Sequence, residues 1–333
     1  MPLGSDVIRL YDMLQVYKGR GMKLSAMNSA KIELLFQANA TLGEGPVWDA
    51  RSGDLYWVDI RRRRIARYNY TKKCQTGVWI TQKRPGCIAL TTDPQKLLVA
   101  AREDVFVLDL QSGATSQIVR LPIDTARFRA NDGRLDAKGR FWIGTMIDDV
   151  HAPESFSGGE LFCVDTDGNI DRADYEFELP NGIGWNKDNT LMYMNDTTTL
   201  LTYCFDFDLA AGRLSNRRVF YDHSGGAGFP DGLSVDSDGC IWSAQWDGWN
   251  IRKISPDAEL LEEFQMPVRR PSSAAFFGPK MNYIAITSAT VDFTTEDFLS
   301  SPNGGSLFSM GTDAKGCEEY QFPLSGHFLS NLS

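Results

Sequence analysis

From about residue 30 onward, apolar residues come in short runs separated by Gly, Asp and Asn, and little of the chain shows helical apolar spacing. The strongest runs are Leu55-Tyr-Trp-Val-Asp59, Leu97-Leu-Val-Ala-Ala101, Phe141-Trp-Ile-Gly-Thr145, Leu191-Met-Tyr-Met-Asn195, Ile241-Trp-Ser-Ala-Gln245 and Tyr283-Ile-Ala-Ile-Thr287. Their starts lie 42, 44, 50, 50 and 42 residues apart. Most follow a tight turn, as at Asp136–Arg140 and Asp236–Cys240, where Asp and Gly supply the backbone reversal. Each precedes a third strand, such as Ile65–Tyr68, Val105–Leu108 or Leu161–Val164, and most units add a weaker fourth, such as Gly77–Ile80 or Arg218–Tyr221. Four-strand units at a period of about 40–50 residues predict an all-β fold, a six-bladed β-propeller. One blade is too thin to bury both its faces, so the ring is expected to form a single domain over residues 27–333.

In such a ring the innermost strand of each blade runs along the central channel, and the residues that open these strands converge at one mouth. The opening segments are Leu42-Gly-Glu-Gly-Pro46, Arg84-Pro-Gly-Cys87, Arg129-Ala-Asn-Asp-Gly133, Pro180-Asn-Gly182, Pro230-Asp-Gly232 and Pro271-Ser-Ser273. Glu44, Asn131, Asn181 and Asp231 are therefore expected to meet from four blades. Two carboxylates and two amide oxygens make an oxygen-only cage that suits a hard divalent cation such as Ca2+, Mg2+ or Mn2+. Singly, Asn181-Gly182 and Asp231-Gly232 are turn dipeptides and Glu44 a loop carboxylate. Their recurrence at equivalent positions makes them a candidate axial metal site.

Arg129 is placed either to pair with Asp132 or to bind a substrate oxygen. Phe229, Trp246 and Trp249 either frame the mouth or pack between blades. The run Asp236-Ser-Asp238-Gly239 reads as a hairpin turn, because no glutamate follows at EF-hand spacing. His151, His223 and His327 fall in separate loops, and no Gly-x-Ser-x-Gly elbow accompanies them.

Composition narrows the partners. A net charge of -9, from 34 basic and 43 acidic residues, argues against a nucleic-acid surface. The run Arg61–Arg64 reads as a solvated turn between two strands. No apolar stretch approaches the roughly 18 residues of a membrane span, so no membrane partner is expected. The six cysteines are scattered singly without metal-site spacing, which suggests buried thiols, a reducing compartment and a cytoplasmic location. The sequons at Asn39, Asn69, Asn195 and Asn331 matter only in a secreted protein. Met1-Pro-Leu-Gly-Ser5 resembles a vector-derived remnant, and Asp6–Gly21 has helix-like spacing without the build of a signal peptide. Residues 1–26 are therefore read as an N-terminal extension.

The segments Leu42-Gly-Glu-Gly-Pro46, Asn131-Asp-Gly133 followed by Gly139-Arg-Phe-Trp142 and Gly144-Thr-Met146, Pro180-Asn-Gly182 and Pro230-Asp-Gly232 occur in an order that resembles the regucalcin (senescence marker protein)/gluconolactonase family. The similarity runs from about Lys31 to about Phe308. The resemblance implies one divalent cation (Ca2+, Zn2+, Mn2+, Mg2+ or Fe2+) and hydrolysis of a sugar lactone to its aldonic acid. It makes Glu44, Asn181 and Asp231 the metal ligands, with Asp231 also activating water. Arg129 and Asn131 match positions that contact substrate or metal-bound water, and Asp149 falls where some members carry a substrate-binding glutamate. Alternatives are hydrolysis of another ester or phosphoester class, and a non-catalytic calcium-binding propeller.

Overall fold

Each of the six apolar runs forms the second strand of a four-stranded antiparallel blade, and six blades close into the expected propeller. The computed structural model describes residues 31–148 and 158–329; the expected extension, residues 1–26, lies outside them, as do Asp149 and His151. The described chain opens with Ile32–Phe36 (β1). Blade 1 is Gly43–Asp49 (β2), Asp54–Asp59 (β3), Arg64–Asn69 (β4) and Cys74–Ile80 (β5). Blade 2 is Pro85–Thr91 (β6), Lys96–Ala101 (β7), Asp104–Asp109 (β8) and Thr115–Arg120 (β9). Blade 3 is Phe128–Leu135 (β10), Phe141–Ile147 (β11), Gly159–Val164 (β12) and Ile170–Phe177 (β13). Blade 4 is Pro180–Trp185 (β14), Leu191–Asp196 (β15), Leu201–Asp208 (β16) and Arg213–Asp222 (β17). Blade 5 is Phe229–Val235 (β18), Ile241–Trp246 (β19), Asn250–Ile254 (β20) and Leu260–Gln265 (β21).

Blade 6 is composite. Pro271–Phe277 (β22), Tyr283–Ser288 (β23) and Leu307–Gly311 (β24) come from one end of the chain, and β1 supplies the outer strand by pairing with β24. The short helix Thr295–Ser300 (α1) sits in the β23–β24 loop, capped by Thr294 and Asp297. Gln321–Phe322 (β25) pairs in parallel with the far end of β6, at Leu90 and Thr91. Phe322 is fully buried there, and the half-buried Glu319 pairs with Arg134 of β10. The segment after β24 thus crosses the channel at the end away from the strand openings.

The apolar faces meet between blades. Ala100 and Val105 of blade 2 pack with Phe141 and Phe162 of blade 3, and Trp242 of blade 5 packs with Phe276 of blade 6. Burying an indole requires a partner for its N–H. In blades 3 and 5 a turn aspartate provides it: Trp142 Nε1 donates to Asp136 and Trp242 Nε1 to Asp236, each at 2.9 Å. The second oxygen of Asp236 accepts the Asp238 and Cys240 backbone N–H groups at 3.0 and 2.8 Å, so the EF-hand-like run is indeed a hairpin turn.

All six cysteines are free; Cys87, Cys163, Cys204 and Cys240 are buried. Among the described residues no helix is long and apolar enough to cross a membrane.

Candidate functional site

Every innermost strand carries a β-bulge at its opening end. The register shifts between Glu44 and Val47, Pro85 and Cys87, Ala130 and Gly133, Asn181 and Ile183, Pro230 and Leu233, and Pro271 and Ser273. A bulge adds unpaired residues and re-aims their side chains, and here Asn131, Asp132 and Asp231 lie in bulges while Glu44 and Asn181 flank them. Two glycines make the convergence sterically possible. A Cβ on Gly86 would stand 2.4 Å from the Asn131 carbonyl oxygen, and one on Gly182 (φ +24) would stand 2.5 Å from that of Asp231.

Glu44 and Asp231 come together. Asp231 is 3% exposed, and Asn181 is buried beside it with its amide nitrogen donating to Asp231 Oδ1. Burial, then repulsion from Asp231 and Asp132, pushes the Glu44 carboxyl well above its ordinary range. Burial and Asp132 push Asp231 up in the same way, against the Asn181 and Gly232 hydrogen bonds and the Arg129 charge. Asp132, whose Oδ1 accepts its neighbour Gly133 N–H at 2.8 Å, is raised chiefly by burial. Sequence reasoning left Asp132 without a site role; its signal was adjacency to Asn131 in a mouth segment.

A buried carboxylate (Asp231) clustered with two half-buried ones (Glu44 and Asp132) is unfavourable unless a cation or protons neutralise them. The donor set is all oxygen, and turning the Asn181 carboxamide would present its oxygen beside Asp231. The residues present therefore fit a hard divalent cation.

Arg129 does not take Asp132 as its partner. Its Nη1 donates to Asn131 Oδ1 at 3.0 Å and to the Ala130 carbonyl at 2.9 Å, and its Nε faces Asp148 at 3.5 Å. Burial and the neighbouring Arg61 and Arg84 guanidinium groups draw Arg129 down to about 10, with Asp148 and Glu44 opposing. Asn131 in turn donates to the Pro180 carbonyl at 3.0 Å, which fixes it between blades 3 and 4. Asp149 falls outside the described residues. Of the aromatics, Phe229 is buried, whereas Trp246 is half-buried with Arg270 stacked 4.9 Å over its ring.

A buried polar relay holds the Asp231 backbone from behind. Asn195 Nδ2 donates to the Asp231 carbonyl at 2.6 Å, Thr202 Oγ1 donates to Asn195 Oδ1 at 2.7 Å, and Thr202 Oγ1 lies 2.9 Å from His223 Nε2. Because the Thr202 proton goes to Asn195, His223 must donate from Nε2, leaving Nδ1 to accept from Arg252 Nη1 at 3.1 Å. Burial, then the Arg252 charge, lowers His223 to about 3. A base depressed in the folded state costs stability as pH falls below its unfolded value of about 6.5, because the unfolded chain takes up the proton first. Urea midpoints should therefore show about 2 kcal/mol lost between pH 7 and pH 5 through this group. His223→Gln should lack that part of the slope, and equal slopes in both proteins would refute the assignment.

The chain is similar to known proteins along most of its length. The SMP-30/Gluconolactonase/LRE-like region matches residues 42–290. A 6-deoxy-6-sulfogluconolactonase of Pseudomonas putida is 31% identical over 284 residues, covering 85% of this chain and 95% of that protein. The pentonolactonase XacC of Haloferax volcanii is 32% identical over 285 residues, covering 84% and 94%. The crystal structure of regucalcin from Agrobacterium tumefaciens, described as a calcium-binding protein, superposes with a TM-score of 0.85 at 26% identity, covering 90% of this chain and 100% of that one. With the match spanning blade 1 to the β23 end and all the bulged mouth segments, this chain belongs to the SMP-30/gluconolactonase/LRE-like family.

Proposed function

We propose that this chain is a lactone hydrolase that opens a sugar lactone to its aldonic acid with the help of one divalent cation. The observation that carries the reading is the meeting of the half-buried Glu44 with the buried Asp231 at the channel mouth, in a family whose relatives include enzymes named as lactonases. Glu44, Asn181 and Asp231 would hold the cation; when bound, it supplies a Lewis acid for the lactone carbonyl. Asp231 accepts a proton from the attacking water and so sharpens its nucleophilicity. Arg129, held by Asn131 and Asp148, offers fixed N–H groups to the oxygens of the sugar. Asn131 orients that arginine and so the ring, and Asp149, which follows Asp148 in the sequence, would take a sugar hydroxyl. Ring opening adds one water across the ester bond and calls for no nucleotide. The absence of disulfides among the six cysteines suits a reducing, cytoplasmic setting.

The test is acid release from glucono-, galactono-, xylono- and arabinonolactone, alongside aryl esters and organophosphates. Saturable turnover confined to sugar lactones is expected. Turnover confined to the other esters would reassign the class, and turnover of none by cation-loaded protein would favour a binding role.

A further inference from the structure

The mouth is basic on one side, in a chain whose net charge is -9. Asp148, at the end of β11, receives three guanidinium groups: Arg84 Nη1 on Oδ1 at 2.8 Å, Arg102 Nη1 on Oδ2 at 2.7 Å and Arg129 Nε on Oδ1 at 3.5 Å. Burial alone would raise Asp148, but the arginines outweigh it and hold the carboxyl below its ordinary range. Glu103 lies a further 3.9 Å from Arg102 Nε but is also bound by Lys83, so among the described residues the trio keeps a positive excess. Arg61, from the β3–β4 turn, adds a fourth guanidinium whose charge acts on Arg129.

Arg61 has no hydrogen-bond or ion-pair partner among the described residues, although it is half-buried. This corrects part of the sequence expectation for Arg61–Arg64. Arg62 and Arg63 are exposed, but Arg61 is half-buried and its charge reaches Arg129, and Arg64 is bound to Asp59 at 3.2 Å and to the Ala38 carbonyl at 3.2 Å. Nearby, Lys83 and Arg120 are matched by Glu103 and Asp104, so they leave the excess in place.

We infer that Arg61, Arg84 and Arg102 form a subsite for a terminal oxyanion of the substrate, so that the preferred lactone carries a phosphate, sulfonate or carboxylate group. The inference rests on the lactonase reading above. Arg129 joins the two parts of the site, touching Asn131 beside the carboxylate cluster and Asp148 in the arginine arc. A ligand extending from one to the other passes over it. Planar guanidinium forks match three-oxygen and carboxylate anions in geometry as well as charge. Arg84 and Arg102 keep 36% and 31% of their side chains exposed; Arg84 uses only Nη1 on Asp148, whereas Arg102 also donates from Nη2 to the Thr125 carbonyl, so Arg84 has the more N–H groups to offer a ligand.

The experiment compares kcat/KM for gluconolactone with that for 6-phosphogluconolactone, a 6-deoxy-6-sulfo analogue and an aldarolactone, on cation-loaded protein. The charged lactones should be preferred by about 10- to 100-fold, as expected for one or two charge-assisted hydrogen bonds, and the best of them identifies the anion. The ratio of charged to neutral kcat/KM should fall about tenfold in Arg61→Gln and in Arg84→Gln, with the change in KM. It should stay constant in Arg213→Gln, on the exposed outer strand of blade 4. Raising the salt should lower the ratio in the unaltered protein. A ratio near one, with gluconolactone still hydrolysed, overturns the subsite and leaves the lactonase reading standing. Failure to hydrolyse these four and the galactono-, xylono- and arabinonolactones overturns that reading itself.

Discussion

Asp231→Ala is expected to lower kcat for the best lactone by about 10²- to 10⁴-fold, the usual contribution of a positioned general base. The residue is 3% exposed and meets the amide nitrogen of Asn181. Loss of the fold is a separate outcome, and the sign of the stability change separates it. Asp231 is a carboxyl raised well above its ordinary range by burial and Asp132; when ionised it destabilises the cation-free protein at neutral pH. Asp231→Asn should accordingly leave the thermal midpoint of cation-free protein equal or higher while abolishing turnover. Retention of more than about a tenth of the activity would exclude an essential base.

Stripping the divalent cation should abolish turnover, and restoring Ca2+, Mg2+, Mn2+ or Zn2+ in turn should recover it and rank the ions. Binding to the folded state alone stabilises by about 2.7 kcal/mol at a hundredfold excess over Kd, so the midpoint should climb with ion concentration. The climb should vanish in Asp231→Asn and shrink in Glu44→Gln, because each removes one of the two carboxylates that repel each other across the mouth. Full turnover by protein shown metal-free by elemental analysis would exclude a catalytic ion.

The blade pattern was legible because a strand buried on both faces must be continuously apolar and a tight reversal must carry Gly, Asp or Asn. Phe141–Thr145 and Ile241–Gln245 therefore announced β11 and β19. The convergence of Glu44, Asn181 and Asp231 followed from equal offsets before those runs. The bulges that aim them did not, because a bulge is a mismatch between two strands and leaves no periodic trace in either one. The arginine arc was hidden for a related reason. Arg61, Arg84, Arg102 and Asp148 belong to three blades, and a charge run such as Arg61–Arg64 divides between mouth and solvent according to which way each turn residue points. Asp132 was readable in position but not in role, since its burial depends on blades closing around it. The outer strand of blade 6 was invisible as such: Ile32–Phe36 becomes part of a sheet only through Leu307–Gly311.

That pairing sets a timetable for synthesis. Leu34 meets Phe308 across 274 residues of chain. At ribosomal rates of about 5–20 residues per second, the first strand made waits on the order of 15–55 s before its partner exists. Closing so long a loop costs on the order of 5 kcal/mol in chain entropy, which the packed flanks of blades 5 and 1 offset once both stand ready. Until then the nascent ring has an open seam, with the apolar flank of blade 1 uncovered where Phe277 later packs against Trp48. A frameshift or early stop that removed Leu307–Gly311 would therefore strand residues at both ends of the chain, exposing sheet edges of the kind that chaperones hold and aggregates recruit.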